Sequence, residues 1–165
     1  MPRTARAVLA LLTVAGVVWA ALGTITATPA TVTFTSSDPD LSPVAGSPVT
    51  VTWRFTYGSS SQTWNIGVRA NNSTMTHCGA VPTSAITVSC QSVSMSGGTP
   101  GTGSGSCSQP FLLSTTNQQV AGGLQRGNNA NYTVNISYSF QDRWRYRGAV
   151  TPACALTLTY TVYFQ

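Results

Sequence analysis

Apolar and polar residues alternate along the C-terminal stretch Cys154–Gln165. Every even position from Cys154 to Phe164 is apolar, and the odd positions are small or polar until Tyr163. A period of two residues is typical of a β-strand with one buried face and one solvent-facing face. Residues 131–146 show the same period, with seven apolar side chains on even positions. The two stretches are therefore predicted to be the central antiparallel pair of a β-sandwich.

Five further stretches carry strand patterns, with turn-rich sequence between them. Val49–Tyr57 alternates, and residues 63–70 alternate again after Gly58–Gln62, which predicts a hairpin with a five-residue loop. No stretch after Leu22 has the 3.6-residue period of a helix. The sequence therefore predicts an all-β fold of about seven antiparallel strands. The predicted strands are 30–35, 49–57, 63–70, 85–95, 110–116, 131–146 and 153–164.

Two features inside this pattern have competing interpretations. Trp53 and Trp64 lie on the apolar face of regular alternations, which favours a place in the core over an aromatic platform for a ligand. The glycine-rich stretch 97–106 is predicted to be an exposed, mobile loop. It lacks the Lys-Ser/Thr ending of a phosphate loop, which excludes that kind of site.

The N-terminus has the order of a secretory signal peptide. A basic start with Arg3 and Arg6 precedes an apolar run over 7–22 and then small residues. The spacing of small residues fits cleavage after Gly23 or after Ala27. The alternative is an uncleaved helix over 7–25 that spans the membrane. We expect residues 1–27 to be a signal peptide or anchor and residues 30–165 to be one β-sandwich domain outside the cytoplasm.

Charged residues make up only 7% of the chain, and Lys and Glu are absent. Eight Arg and three Asp give +5; without Arg3 and Arg6 the balance is six minus three, or +3. There is no basic run of the kind that follows a phosphate backbone, so nucleic acid is not an expected partner. Low charge with abundant Ser, Thr and Asn is common in secreted all-β proteins and in subunits of assemblies.

Four cysteines behind an export signal predict two disulfides. They are Cys78, Cys90, Cys107 and Cys154, and three pairings are open. We expect Cys78–Cys90 and Cys107–Cys154, because the first closes a short loop. A zinc site is the alternative, but no C-x-x-C occurs and the only histidine, His77, adjoins Cys78. No metal and no cofactor are therefore expected.

The sequence offers no catalytic set. It has one histidine, no glutamate and three aspartates, Asp38, Asp40 and Asp142. No G-x-S-x-G elbow occurs, and no carboxylate pair suits glycoside hydrolysis. We expect a protein that is not an enzyme.

One stretch concentrates charge. Arg143, Arg145 and Arg147 alternate with Trp144 and Tyr146, so that the arginines share one strand face. This face would suit an acidic glycan, a lipid headgroup or a protein partner. The alternative is a solvated face that protects the strand end from unwanted pairing.

Four asparagines begin N-x-Ser/Thr sequons: Asn71, Asn72, Asn131 and Asn135. Asn71 and Asn72 lie in a predicted loop and would be the best acceptors in a host that N-glycosylates. Chance occurrence is the alternative in so Ser/Thr-rich a chain.

Residues 123–136, GLQRGNNANYTVNI, resemble the Leu…Gly…Tyr-x-Val-x-Ile run of fibronectin type III and other immunoglobulin-like domains. Residues 43–51, PVAGSPVTV, resemble the entry to the second strand of bacterial Ig-like surface domains. The resemblance implies an Ig-like sandwich in which Tyr132 forms a tyrosine corner, its hydroxyl bonding back to the backbone. No Cys…Trp…Cys triplet has the antibody spacing, so only the general architecture is implied.

These observations predict an exported structural or adhesive surface protein. One form is a subunit of a pilus-like filament, in which strand 30–35 pairs with a neighbour's open edge. The expected partner is a second copy, another surface protein or a glycan. The alternatives are a monomeric carbohydrate- or protein-binding Ig-like module and a membrane-anchored pilin-like or envelope protein that retains residues 7–25.

Overall fold

The computed structural model describes residues 24–34, 43–57, 62–140 and 154–164, without the side chains of 79 and 80. Residues 1–23 of the predicted signal peptide or anchor over 1–27 lie outside these residues, and β1 begins within its last four residues. The described residues form thirteen β-strands and one 3-10 turn, Thr83–Ala85, which confirms the all-β prediction. The strands are β1 Thr26–Thr28, β2 Thr31–Phe34, β3 Val44–Ala45, β4 Val49–Phe55, β5 Thr63–Ala70, β6 Thr74–Met75, β7 Cys78–Pro82, β8 Ile86–Pro100, β9 Ser106–Cys107, β10 Phe111–Leu112, β11 Gln118–Leu124, β12 Gly127–Phe140 and β13 Cys154–Phe164.

The strands form two main antiparallel sheets in a sandwich-like arrangement. The first sheet has the order β1-β4-β12-β8-β10, with β3 also paired to β12. The second has the order β2-β13-β5-β11-β9, and β6 and β7 form a separate small pair. The predicted apolar faces are the odd-numbered residues of β4 and the even-numbered residues of β12 and β13. Their apolar side chains are largely buried in one core between the sheets.

The predicted central pair is wrong in its pairing, because β12 and β13 lie in different sheets. β12 pairs with β4 and β8, whereas β13 pairs with β2 and β5. The two strands face each other across the core, where the hydroxyl oxygens of Tyr138 and Tyr160 lie 2.8 Å apart in a hydrogen bond. Alternation fixes which face of a strand is buried, but it does not identify the neighbouring strand.

The predicted hairpin is wrong for the same reason, since β4 and β5 belong to opposite sheets. Their tryptophans meet across the core: the Trp53 and Trp64 ring centroids are 5.4 Å apart. Both side chains are buried. The core interpretation of Trp53 and Trp64 is confirmed.

Two stretches that were predicted as loops contain strands. β11 occupies part of the polar stretch 118–130, and Gly97–Pro100 continue β8 along β12. Residues 102–106 are exposed, as predicted. This stretch nevertheless crosses to the second sheet, where the Ser104 amide donates to the Leu124 carbonyl at 3.2 Å. Gly105 fits closely against Val93, since a Cβ there would lie 2.6 Å from its Cγ1.

The four cysteines form two disulfides, as predicted, but the expected pairing is wrong. The bonds are Cys78–Cys154 and Cys90–Cys107, each with a Cα–Cα distance of 5.3 Å. Cys90–Cys107 joins β8 of the first sheet to β9 of the second. The sheet topology, rather than distance along the chain, decides which cysteines meet. Because Cys78 is disulfide-bonded, it cannot form a zinc site with His77.

Candidate functional site

The predicted contact residues on the arginine-rich strand lie outside the described residues. Residues 141–153 include Arg143, Trp144, Arg145, Tyr146 and Arg147, and their role stays a prediction. The aspartates also lie outside, so the expectation of no enzymatic activity is not tested. Among the described residues, no three His, Cys, Asp or Glu side chains lie together so as to hold a metal ion.

One edge of the second sheet is only partly covered. β2 pairs with β13 over Cys154–Thr157, and β5 pairs with β13 over Leu158–Phe164. On the side away from β5, no strand in the described part of the chain pairs with Leu158–Phe164. We name this stretch the β13 edge.

The inner face of the β13 edge is apolar and only partly shielded. Leu158, Tyr160 and Phe164 are half-buried and pack against the core, whereas Val162 is buried. Burial raises the pKa of Tyr160 to about 12, although its hydrogen bond with Tyr138 acts in the opposite direction. A further strand that paired with the β13 edge would cover these half-buried side chains.

The first sheet has a second open stretch. β10 pairs with β8 only at Thr87 and Val88. Beyond these residues, no described strand pairs with β8 on the side away from β12. We name Ser92–Ser96 the β8 edge. Its inner side chains, Val93 and Met95, are half-buried and pack against the core.

The two edges lie on opposite sides of the sandwich. Phe55 of β4 lies 4.5 Å from Phe164 of β13 between ring centroids, which places the β1–β4 end of the first sheet over the β13 edge. At the other end, the Cys90–Cys107 bond places β8 over β9. The β13 edge therefore lies at the β1–β4 side of the sandwich, and the β8 edge lies at the β9 side.

The outer face of the first sheet is an uncharged polar surface over most of its area. Thr52, Thr133 and Ser94 lie side by side on three strands, and Asn135 lies between Thr50 and Ser92. The Asn135 amide accepts from the Thr50 hydroxyl and donates to the Ser92 hydroxyl, both at 2.8 Å. These hydrogen bonds satisfy polar groups across three strands and give this face a fixed pattern.

The four sequon asparagines differ in accessibility. Asn135 uses its amide between two strands, and Asn71 accepts from the Thr159 hydroxyl at 2.6 Å. Asn131 is exposed in the middle of a strand, and Asn72 is exposed between β5 and β6. Asn72 is the acceptor that the geometry favours, because attachment there displaces no hydrogen bond described above.

The outer face of the second sheet holds an amide cluster that the sequence did not reveal. Asn117 lies over Gly67, where a Cβ would collide with its amide, and Asn65 and Gln119 lie over Gly122. Asn65 is only 6% exposed although it points away from the core. Its Nδ2 has no hydrogen-bond partner among the described residues. Glycines in two adjacent strands were the available signal, because they leave room for side chains from the neighbouring strand.

Tyr132 makes the backbone contact that the resemblance implied. Its hydroxyl accepts from the Arg126 amide at 2.8 Å, six residues upstream. The ring is fully buried and stacks on Trp53, with centroids 5.3 Å apart. Burial raises the pKa of Tyr132.

Comparison with known protein families, curated proteins and solved structures found no match for this chain. Within the residues that the structure describes, no helix has the length and apolar character needed to cross a bilayer. Two disulfides in one domain are typical of extracellular proteins.

Proposed function

We propose that this chain is an exported, non-enzymatic surface protein, structural or adhesive, that assembles through β-strand contacts. The observation that carries the proposal is the pair of open edges, the β13 edge and the β8 edge. An unpaired edge presents backbone N–H and C=O groups to any strand that approaches. Strand addition gives affinity through these main-chain hydrogen bonds.

The edges lack the features that keep natural sheets apart. Lysines, prolines or inward-pointing charges commonly protect an edge strand. Neither Leu158–Phe164 nor Ser92–Ser96 contains a charged residue or a proline. Arginines do lie close by: Arg126 donates from Nε to the Gly97 carbonyl just beyond the β8 edge, and Arg69 of β5 lies opposite Thr159. Such edges favour a protein that uses them for contact.

The sheet orders support an Ig-like interpretation. Ig-like domains have strands A, B, E and D in one sheet and G, F and C, with C′ in some, in the other. The order β1-β4-β12-β8 fits A-B-E-D, and β13-β5-β11 fits F-C-C′. β11 departs from the family because it follows, rather than precedes, the strand in the D position. The Tyr132 contact is a second departure, because it lies on β12 in the E position, whereas the tyrosine corner of Ig-like domains lies on strand F.

In this interpretation the position beside F, which strand G fills, is only partly occupied. β2 fills it along four residues of β13 and leaves the β13 edge open. β2, the described part of the expected donor strand 30–35, therefore pairs within its own chain, which argues against strand exchange through this segment. The proposed contact uses the remaining edge instead.

The test is to express the full chain in a secreting host and to analyse the product. We expect export, four oxidised cysteines and a mature N-terminus at Thr24, because cleavage after Ala27 would remove half-buried residues and most of β1. Sedimentation over a range of concentrations should show association, and electron microscopy should show filaments. Intracellular protein with free thiols would contradict export. A monodisperse monomer at high concentration would contradict assembly.

Glycan binding is the second candidate, and the amide cluster favours it. The exposed amides of Asn117 and Gln119, with Tyr163 two strands away on β13, offer donors and acceptors to sugar hydroxyls. Binding to a glycan array that is lost in Gln119→Ala, with secretion unchanged, would support this function. Absence of binding across the array would contradict it.

A further inference from the structure

We propose that the β13 edge of one molecule pairs antiparallel with the β8 edge of a second copy, head to tail. This inference rests on the proposed function and names its partner and its two surfaces. The pairing joins the second sheet of one molecule to the first sheet of the next.

The placement of the edges favours a head-to-tail contact. Because the edges lie on opposite sides of the sandwich, each molecule offers one to each neighbour. A contact between two different patches that does not close into a ring generates an open filament. One kind of contact then covers both edges of every interior molecule. Pairing either edge with itself would leave the other edge exposed in each dimer.

The side chains of the two edges match in one register. With Ser94 opposite Thr161, Val93 faces Val162 and Met95 faces Tyr160. All four belong to the core side of their strands. An aliphatic side chain opposite an aromatic one is a favourable cross-strand pair. Strand addition would also cover the half-buried side chains that both edges now present.

The outer sides of the two edges match as well. In the same register, Ser92 faces Tyr163 and Ser96 faces Thr159. These side chains are exposed or half-buried, and none is charged. Hydroxyl pairs across strands contribute hydrogen bonds, and no like charges oppose each other. The neutral edges therefore give a contact that salt would weaken little.

Cysteine crosslinking tests the register directly. Residues directly opposite in antiparallel strands have Cα atoms about 4.5–5.5 Å apart, which suits a disulfide. We expect Ser94→Cys and Thr161→Cys proteins to form a crosslinked dimer only when they are mixed. Thr52→Cys is the matched control, since it is exposed on an interior strand of the outer face. It should crosslink with neither.

Each other outcome overturns the inference. Crosslinking of Ser94→Cys alone or of Thr161→Cys alone would indicate that an edge pairs with itself. Association without any crosslink would place the assembly surface elsewhere and leave the proposed function intact. Absence of association in the unmodified protein would overturn the proposed function and the inference together.

Charge variants keep the test valid if an added cysteine disturbs the native disulfides. The double variant Ser94→Lys with Thr161→Lys places two cations opposite each other at every contact. It should weaken association by roughly tenfold or more. Ser94→Lys with Thr161→Asp should restore association, because the pair now attracts. If the restoring variant stays as weak as the first, head-to-tail pairing is refuted. Thr52→Lys should leave association unchanged.

Discussion

Replacing Tyr132 with phenylalanine removes one hydroxyl from the buried aromatic cluster that Tyr132 forms with Trp53, Phe55 and Trp64. The ring has no exposed surface, and its stacking on Trp53 at 5.3 Å needs no hydroxyl. The lost interaction is the hydrogen bond from the Arg126 amide, at 2.8 Å. A net hydrogen bond is worth about 1 kcal/mol, and a buried donor without a partner costs about 1–3 kcal/mol. Because Arg126 is half-buried, we expect Tyr132→Phe to lower the free energy of unfolding by about 2 kcal/mol.

Urea unfolding followed by tryptophan fluorescence measures this change. With a slope of about 2 kcal/mol per molar, the midpoint should fall by about 1 M. Tyr57→Phe is the control: its side chain is 66% exposed, so the change should stay within about 0.5 kcal/mol. If Tyr132→Phe unfolds within that same margin of the unmodified protein, the hydrogen bond does not stabilise the turn before β12.

Two more predictions concern the core and a close backbone approach. Tyrosine in an unfolded chain has a pKa of about 10, and burial raises the pKa of Tyr160 to about 12 and that of Tyr138 further. The folded state therefore keeps protons that the unfolded state loses. The free energy of unfolding should fall as pH rises from about 10 to 12, by about 2–3 kcal/mol for Tyr160 alone. Unfolding measured across this range should show a shallower decline in Tyr160→Phe, and equal slopes would contradict the origin of the effect. Gly123→Ala should destabilise the protein by about 2 kcal/mol or more, because the added Cβ meets the Ser104 carbonyl; a change below about 0.5 kcal/mol in urea would contradict this close approach.

Alternation predicted the strands whose one face is apolar and whose other face is wet. Residues 63–70 match β5 at both ends, and the predicted 153–164 matches β13 within one residue. The period of two residues carries no information on partners, so both the pairing of β12 with β13 and the hairpin of β4 with β5 were wrong. β4 and β5 follow each other along the chain but lie in opposite sheets, as do β12 and β13, and local sequence does not show that change of sheet.

β11 was missed because its stability does not come from its own side chains. QQVAGGL contains one β-branched residue and two glycines, which are weak strand formers. The glycines are required because Ser104 and Asn65 lie against them. The glycines of β11 leave space for Ser104 and Asn65, and this need is seen only once the fold has brought those residues next to β11. The open edges were missed for a similar reason. The sequence does not show that β2 pairs with β13, and so it does not show that β2 is too short to cover all of β13.

The arrangement of β2, β13 and β5 delays completion of the second sheet until the end of the chain has been synthesised. β13 follows every other described strand along the chain, yet it lies between β2 and β5 and carries the partner of Cys78. From Phe34 to its partner Cys154 there are 120 residues, which a ribosome needs roughly 6–24 s to make. During that interval the edges of β2 and β5 that pair with β13 are unpaired and accessible to any other extended chain. A nascent molecule of this protein would therefore need shelter, from a chaperone or from a translocation channel, until its last strand arrives.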